Sequence, residues 1–200
     1  MRKIKLIILL CFLSTTSFSQ VDTLKNYFDI FGSFIQNDVA RFPELDGAGS
    51  VDEGRGFCFG INYSRKLANK LWINSGLNYF KTSNDFNPAP TGEPTPTIKN
   101  INSELLRIPV KIRYDFIKWW YIKTGLTIDY QYNNKNGNYI DNQSGLAYSL
   151  STGINLKLTK QFYFIIEPEL AITSLVPFNS NKYQQHFLIS GINFNLGIKF

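Results

Sequence analysis

The sequence predicts an all-β chain, an eight-stranded antiparallel up-and-down transmembrane β-barrel. Three observations carry this reading. Apolar and polar residues alternate with a period of two in eight stretches. The connections between those stretches alternate short and long. An export leader precedes them all.

The leader comes first. Arg2, Lys3 and Lys5 form a basic start, Ile4 to Leu13 an apolar core, and Ser17-Phe18-Ser19 a small-x-small cleavage site. The apolar run is shorter than the roughly 20 residues that a membrane-spanning helix needs. We therefore expect a cleaved signal peptide over 1–19 and a barrel domain over 20–200. The leader's three cations are not offset by acids, so its removal lowers the formal charge from +6 to +3. The basic balance is then partly the leader's, and nucleic acid is not an expected partner. Cys58 is the one cysteine beyond the leader and His186 the one histidine, which leaves no intrachain disulfide and no metal-ligand spacing. No cofactor and no metal are expected.

The first strand, around Tyr27 to Ile35, is apolar on both parities and has no firm register. In the second, Phe57, Phe59, Ile61 and Tyr63 oppose Cys58, Gly60, Asn62 and Ser64. In the third, Leu71, Ile73, Leu77 and Tyr79 oppose Trp72, Asn74, Gly76 and Asn78. The fourth is the clearest, with Leu106, Ile108, Val110, Ile112 and Tyr114 against Arg107, Pro109, Lys111, Arg113 and Asp115. The fifth sets Ile122, Thr124, Leu126, Ile128 and Tyr130 against Tyr121, Lys123, Gly125, Thr127 and Asp129. The sixth sets Tyr148, Leu150, Ile154 and Leu156 against Ser149, Ser151, Asn155 and Lys157. The seventh sets Phe162, Phe164, Ile166, Pro168 and Leu170 against Tyr163, Ile165, Glu167 and Glu169. The last sets Leu188, Ile192, Phe194, Leu196, Ile198 and Phe200 against Gly191, Asn193, Asn195, Gly197 and Lys199. Each stretch is about 10 residues, enough to cross a bilayer at a tilt of about 45°.

Alternation alone does not say which face is inside, because soluble eight-stranded barrels keep apolar residues within. Loop order decides. The joins near 65–70, 117–118 and 159–161 are short, whereas those near 36–55, 82–103, 133–144 and 175–185 are long. Short turns at one rim and long loops at the other are the pattern of bacterial outer-membrane barrels, with the long loops outside the cell. Aromatics gather near both rims. Trp119, Trp120, Tyr121, Phe162, Tyr163 and Phe200 lie by the short turns, and Tyr79, Phe80, Tyr130, Tyr132 and Tyr148 by the long loops. They are expected to form girdles at the lipid–water boundaries.

The inward face then carries a candidate charge network of Arg107, Lys111, Arg113, Lys123, Lys157 and Lys199 with Asp115, Asp129, Glu167 and Glu169. A buried charge is costly unless paired. The expected role is a salt-bridge plug that shuts the lumen, and the alternative is a narrow, porin-like ion or solute path. Catalysis is a third reading. His186 and Ser190 share a face, both pointing to lipid unless a bulge intervenes, and could serve as base and nucleophile of a lipid hydrolase. No acid is committed to them, so no catalytic residues are assigned and the chain is read as a non-enzyme. The loops add the Pro-rich stretch Asn84 to Thr97, an acidic one from Arg41 to Gly56, and an Asn- and Gly-rich one from Asn133 to Asn142. The expected partners are outer-membrane lipid and, through the long loops, another protein, with the barrel itself a monomer.

The stretch Leu106-Arg107-Ile108-Pro109-Val110-Lys111-Ile112-Arg113-Tyr114 resembles the Ile-Pro strand of the PorT-type outer-membrane barrel proteins, the so-called porin family. The Gly-rich paired strands and the final Gly197-Ile198-Lys199-Phe200 are similar to that family too. The resemblance spans roughly the mature chain. It implies an eight-stranded integral barrel of a Gram-negative outer membrane, with neither an activity nor catalytic residues.

Overall fold

The computed structural model describes residues 26–41, 50–88, 98–133, 140–179 and 185–200. Residues 1–25, where a leader is expected, and parts of each long loop, including most of the Pro-rich stretch, half of the acidic one and residues 134–139, lie outside them. Eight long strands are present: β1 Asn26–Arg41, β2 Gly54–Ala68, β3 Leu71–Asn87, β4 Lys99–Asp115, β5 Trp120–Asn133, β6 Gly145–Lys157, β7 Phe162–Pro177 and β8 Gln185–Lys199. A two-residue strand, Ser50–Val51, adds to the far end of β3. Each long strand pairs antiparallel with its sequence neighbour. Antiparallel pairing of β8 with β1, from Tyr27↔Lys199 to Arg41↔Gln185, closes the ring. Closure leaves no open edge, so the backbone groups of the wall pair within the protein.

The predicted alternation holds from β2 to β8, apart from the far end of β7 and the start of β8. Leu106, Ile108, Val110 and Ile112 are exposed, and Arg107, Lys111 and Arg113 between them are buried. The first strand gains a register that its pattern did not give. Tyr27, Asp29, Ser33, Ile35 and Asn37 turn inward, and the strand continues to Arg41. The third and fourth strands also run further than their alternation suggested, to Asn87 and from Lys99, with ladder pairs up to Phe86↔Lys99.

Two prolines sit inside strands of a sheet that has no edge. A proline cannot donate to a ladder. The β3–β4 register accordingly skips from Ser75↔Val110 to Asn78↔Arg107 around Pro109. The β6–β7 register likewise skips from Ser151↔Glu169 to Ile154↔Ile166 around Pro168. Further along β7 the register slips between Tyr148↔Ile172 and Leu146↔Val176, with Ser174 at φ 52°. This is a β-bulge, and Thr173 and Ser174 are buried in succession there.

Candidate functional site

The lumen is filled in three layers. Nearest the short turns, Tyr27, Trp72, Tyr121, Tyr163 and Ile165 form an aromatic floor. Tyr27 packs edge-on against Tyr163 with ring centres 4.8 Å apart, and 4.6 Å from Trp72. Parity decides the fate of two girdle candidates here. Tyr121 and Tyr163 occupy inward positions of β5 and β7, so they plug the lumen instead of facing outward. Phe80 is corrected for the same reason: it is fully buried at the other end. Trp119, Trp120, Phe162, Phe200, Tyr130 and Tyr132 are exposed and Tyr79 half-exposed, in the outward positions that a girdle needs.

The middle layer holds the charges. Arg107 Nε lies 2.9 Å from Asp129 Oδ1, on paired positions of β4 and β5. Lys111 Nζ is 2.6 Å from Glu169 Oε1, which joins β4 to β7, three strands away around the ring. Lys123 Nζ is 2.6 Å from Glu167 Oε1, which joins β5 to β7. Arg113 Nε is 2.7 Å from Asp115 Oδ1 and its guanidinium stacks 3.8 Å from the centre of the Tyr121 ring. Cations of β4 and β5 thus meet anions of β7 across the interior. Neutral donors add to the acceptors of Glu167, Glu169 and Asp115, while among the described residues Asp129 Oδ2 is left without one. Tyr121 OH donates to Glu167, Asn193 Nδ2 to Glu169 Oε2 at 2.8 Å, and Trp72 Nε1 to Asp115 Oδ2 at 2.8 Å. Desolvating a carboxylate or a guanidinium is tolerable where such partners are supplied. Beside Arg107, Lys111 and Glu169 the remaining cavity is about 30 Å³, room for a water or two.

Lys157 and Lys199 do not join these pairs. Both lie where their strands reach the short-turn mouth, Lys157 exposed and Lys199 half-buried over the Tyr27 ring at 5.1 Å.

The third layer, toward the long loops, combines an apolar cluster with buried uncharged polar side chains such as Asn37, Thr82 and Asn84. Phe80, Leu105 and Phe187 are fully buried with Ile35, Cys58, Ile101, Ile140 and Ile189 around them. Residues 140–144 turn into the mouth above this cluster. Fully buried Gln143 fastens them: its Nε2 donates to the carbonyls of Asp141 and Gln185, and its Oε1 accepts from Phe187 N and Thr173 Oγ1. Its own N–H donates to Gln131 Oε1. The Asn- and Gly-rich composition around this segment signals a turn, and no pattern in it announces a stopper.

The possible Ser–His pair separates. Ser190 is exposed, as its parity requires. His186 is buried with Nδ1 3.1 Å from the Thr173 carbonyl, because the Ser174 bulge folds β7 against it. Among the described residues no group of three metal-ligating side chains forms.

No family model matches this chain, and no curated protein matches it. Solved structures do. The outer membrane protein OprG from Pseudomonas aeruginosa aligns with a TM-score of 0.55 and 12% identity over 88% of this chain and 96% of its own. Neisserial surface protein A aligns with a TM-score of 0.54 and 13% identity over 86% of this chain and 97% of its own. Identities this low establish architecture alone, and the architecture is the closed β-barrel of small bacterial outer-membrane proteins.

Proposed function

We propose that this chain is an integral protein of a bacterial outer membrane, a structural or interaction barrel with a shut lumen that works through its long-loop end. The observation that carries the reading is inverted polarity. Ile112, Leu126, Ile128, Leu150 and Ile192 are exposed on the outside of a wall whose inside buries Lys111, Lys123, Asp129 and Glu167. In water that exterior would be a continuous sticky surface. In a bilayer it is the required one, because lipid tails accept apolar side chains and the closed ladder satisfies the backbone. The likeness to OprG and Neisserial surface protein A supports the membrane, and the Ile-Pro strand supports kinship with the PorT-type barrels.

The ion pairs that cross the lumen support the plug over a porin-like path, and the cavity beside Arg107, Lys111 and Glu169 is about 30 Å³. Catalysis is not part of this reading, as Ser190 faces outward and His186 is buried against Thr173. The test is conductance of the folded protein in a planar bilayer, with heat-dependent gel mobility as proof of folding. A folded, electrically silent barrel is the expected result. Discrete ion-selective steps would overturn the plug in favour of a path through the same charges.

A further inference from the structure

The cations left over from the lumen network converge on one place. The short-turn mouth is a bowl of about 620 Å³ into which Lys66, Lys70, Lys118, Lys157 and Lys199 face from four strand ends and turns. Its floor includes Tyr27 and Trp72. Arg113 and Asp115 also line it, but they are paired with each other at 2.7 Å. Among the described residues none of the five lysines has a carboxylate within ion-pair distance. Lys70 donates only to the Phe116 carbonyl at 3.3 Å, and Lys66 and Lys199 sit over the Trp72 and Tyr27 rings. Elsewhere inside this barrel every buried lysine or arginine has an acid at 2.6–2.9 Å. At the mouth Lys70, Lys118 and Lys157 are exposed and Lys66 and Lys199 half-buried, and these five like charges surround one concavity, where an anion from outside the chain would relieve their mutual repulsion.

The geometry points to a binding site for phosphate groups at this mouth, and we propose it as such. Phosphate is favoured over carboxylate by the side chains at hand. Lysine is a compact point charge suited to a multiply charged tetrahedral anion, whereas the planar arginine fork that recognises carboxylates two-pronged is already held by Asp115. The site goes beyond the sealed-barrel reading and does not depend on it, because the bowl exists whether or not the lumen conducts. The phosphate could belong to the headgroup of a neighbouring lipid or to a free phosphorylated compound.

The experiment is calorimetric titration of the full-length folded barrel, in a zwitterionic detergent, with pyrophosphate. Saturable binding that weakens as salt rises is expected. The double variant Lys157→Gln/Lys199→Gln removes two charge-assisted contacts and should weaken it about tenfold or more. Lys81→Gln, at the opposite end, should leave it unchanged. Gel mobility before and after boiling verifies that each variant is folded. Retention of phosphatidylglycerol over phosphatidylcholine in native mass spectrometry, lost in the double variant, assigns the phosphate to lipid. Pyrophosphate binding without that retention assigns it to a free ligand. No binding of pyrophosphate to a folded barrel, or equal binding by the double variant, overturns the proposal.

Discussion

The short-turn part of this barrel and its long-loop end obey opposite rules of polarity. Between the short turns and mid-wall, Ile112, Leu126 and Ile154 face outward, while Lys111, Lys123 and Glu167 are buried within. At the far ends of β3 and β4 the order reverses. Lys81, Ser83 and Asp85 with Asn100, Asn102 and Glu104 lie outward, and Phe80, Ile101 and Leu105 lie inside. One continuous ladder carries both arrangements, up to Phe86↔Lys99. The pleat sets only that neighbours alternate. Which set of side chains goes outward follows from what surrounds the wall. Strands of 13 to 17 residues are longer than the roughly 10 that a bilayer needs. On the proposed membrane reading the excess stands in water, with Phe80, Ile101 and Leu105 packed inside beside buried Thr82, Asn84 and Ser103.

The sharpest way to break this contrast is to unpair a charge in the middle layer. Asp129→Leu leaves Arg107 buried without its partner, and unfolding by urea in lipid vesicles should show a loss of about 3–5 kcal/mol. The double change with Arg107→Met should recover most of it, and no recovery would mean that the site resists for another reason. The outward face gives the next largest effect. Leu126→Lys in the apolar belt should cost about 2–4 kcal/mol, whereas Ser83→Lys at the far end should stay within about 0.5 kcal/mol. Equal costs at the two positions would erase the boundary drawn here. Packing of the aromatic floor is next. A Cβ on Gly153 would sit 2.4 Å from Tyr121 OH, so Gly153→Ala should cost about 1–3 kcal/mol and raise the urea unfolding rate. The smallest effect belongs to the outward ion pair of Lys81 and Glu104 at 3.2 Å. Lys81→Ala should change stability by about 0–1 kcal/mol, and the change should vanish in high salt.

Much of the candidate site was legible because parity is a local property. Arg107, Lys111, Arg113, Lys123, Asp129, Glu167 and Glu169 share the inward parity of their strands, and all seven point into the lumen. Two kinds of information were missing. Parity does not distinguish the middle of a strand from its end, so Lys157 and Lys199 looked like plug members although they stand in the mouth. Closeness to a turn does not set direction either: it places Tyr121 and Tyr163 with the girdle, whereas inward parity marks Trp72 and Tyr163 as lumen plugs, and all three point inward. His186 keeps the register of its strand, opposite Ala40, yet is buried against the Thr173 carbonyl, beside the bulge at Ser174 on the neighbouring strand. The sequence around Ser174 carries no glycine to announce it.

The eight strands, their antiparallel order and, outside the first strand and the β7 bulge, the face that most side chains take were present in the chain's own alternation and loop lengths. These depend on residues within a strand or across one turn. The partners of the charges were decided by closure. Lys111 reaches Glu169 only when β4 and β7 are brought to opposite walls, and Gln143 meets Thr173 and Gln185 only when β7 and β8 close over it. Such contacts join residues 58, 30 and 42 positions apart, and no local pattern encodes a distance that arises only when the sheet curls onto itself.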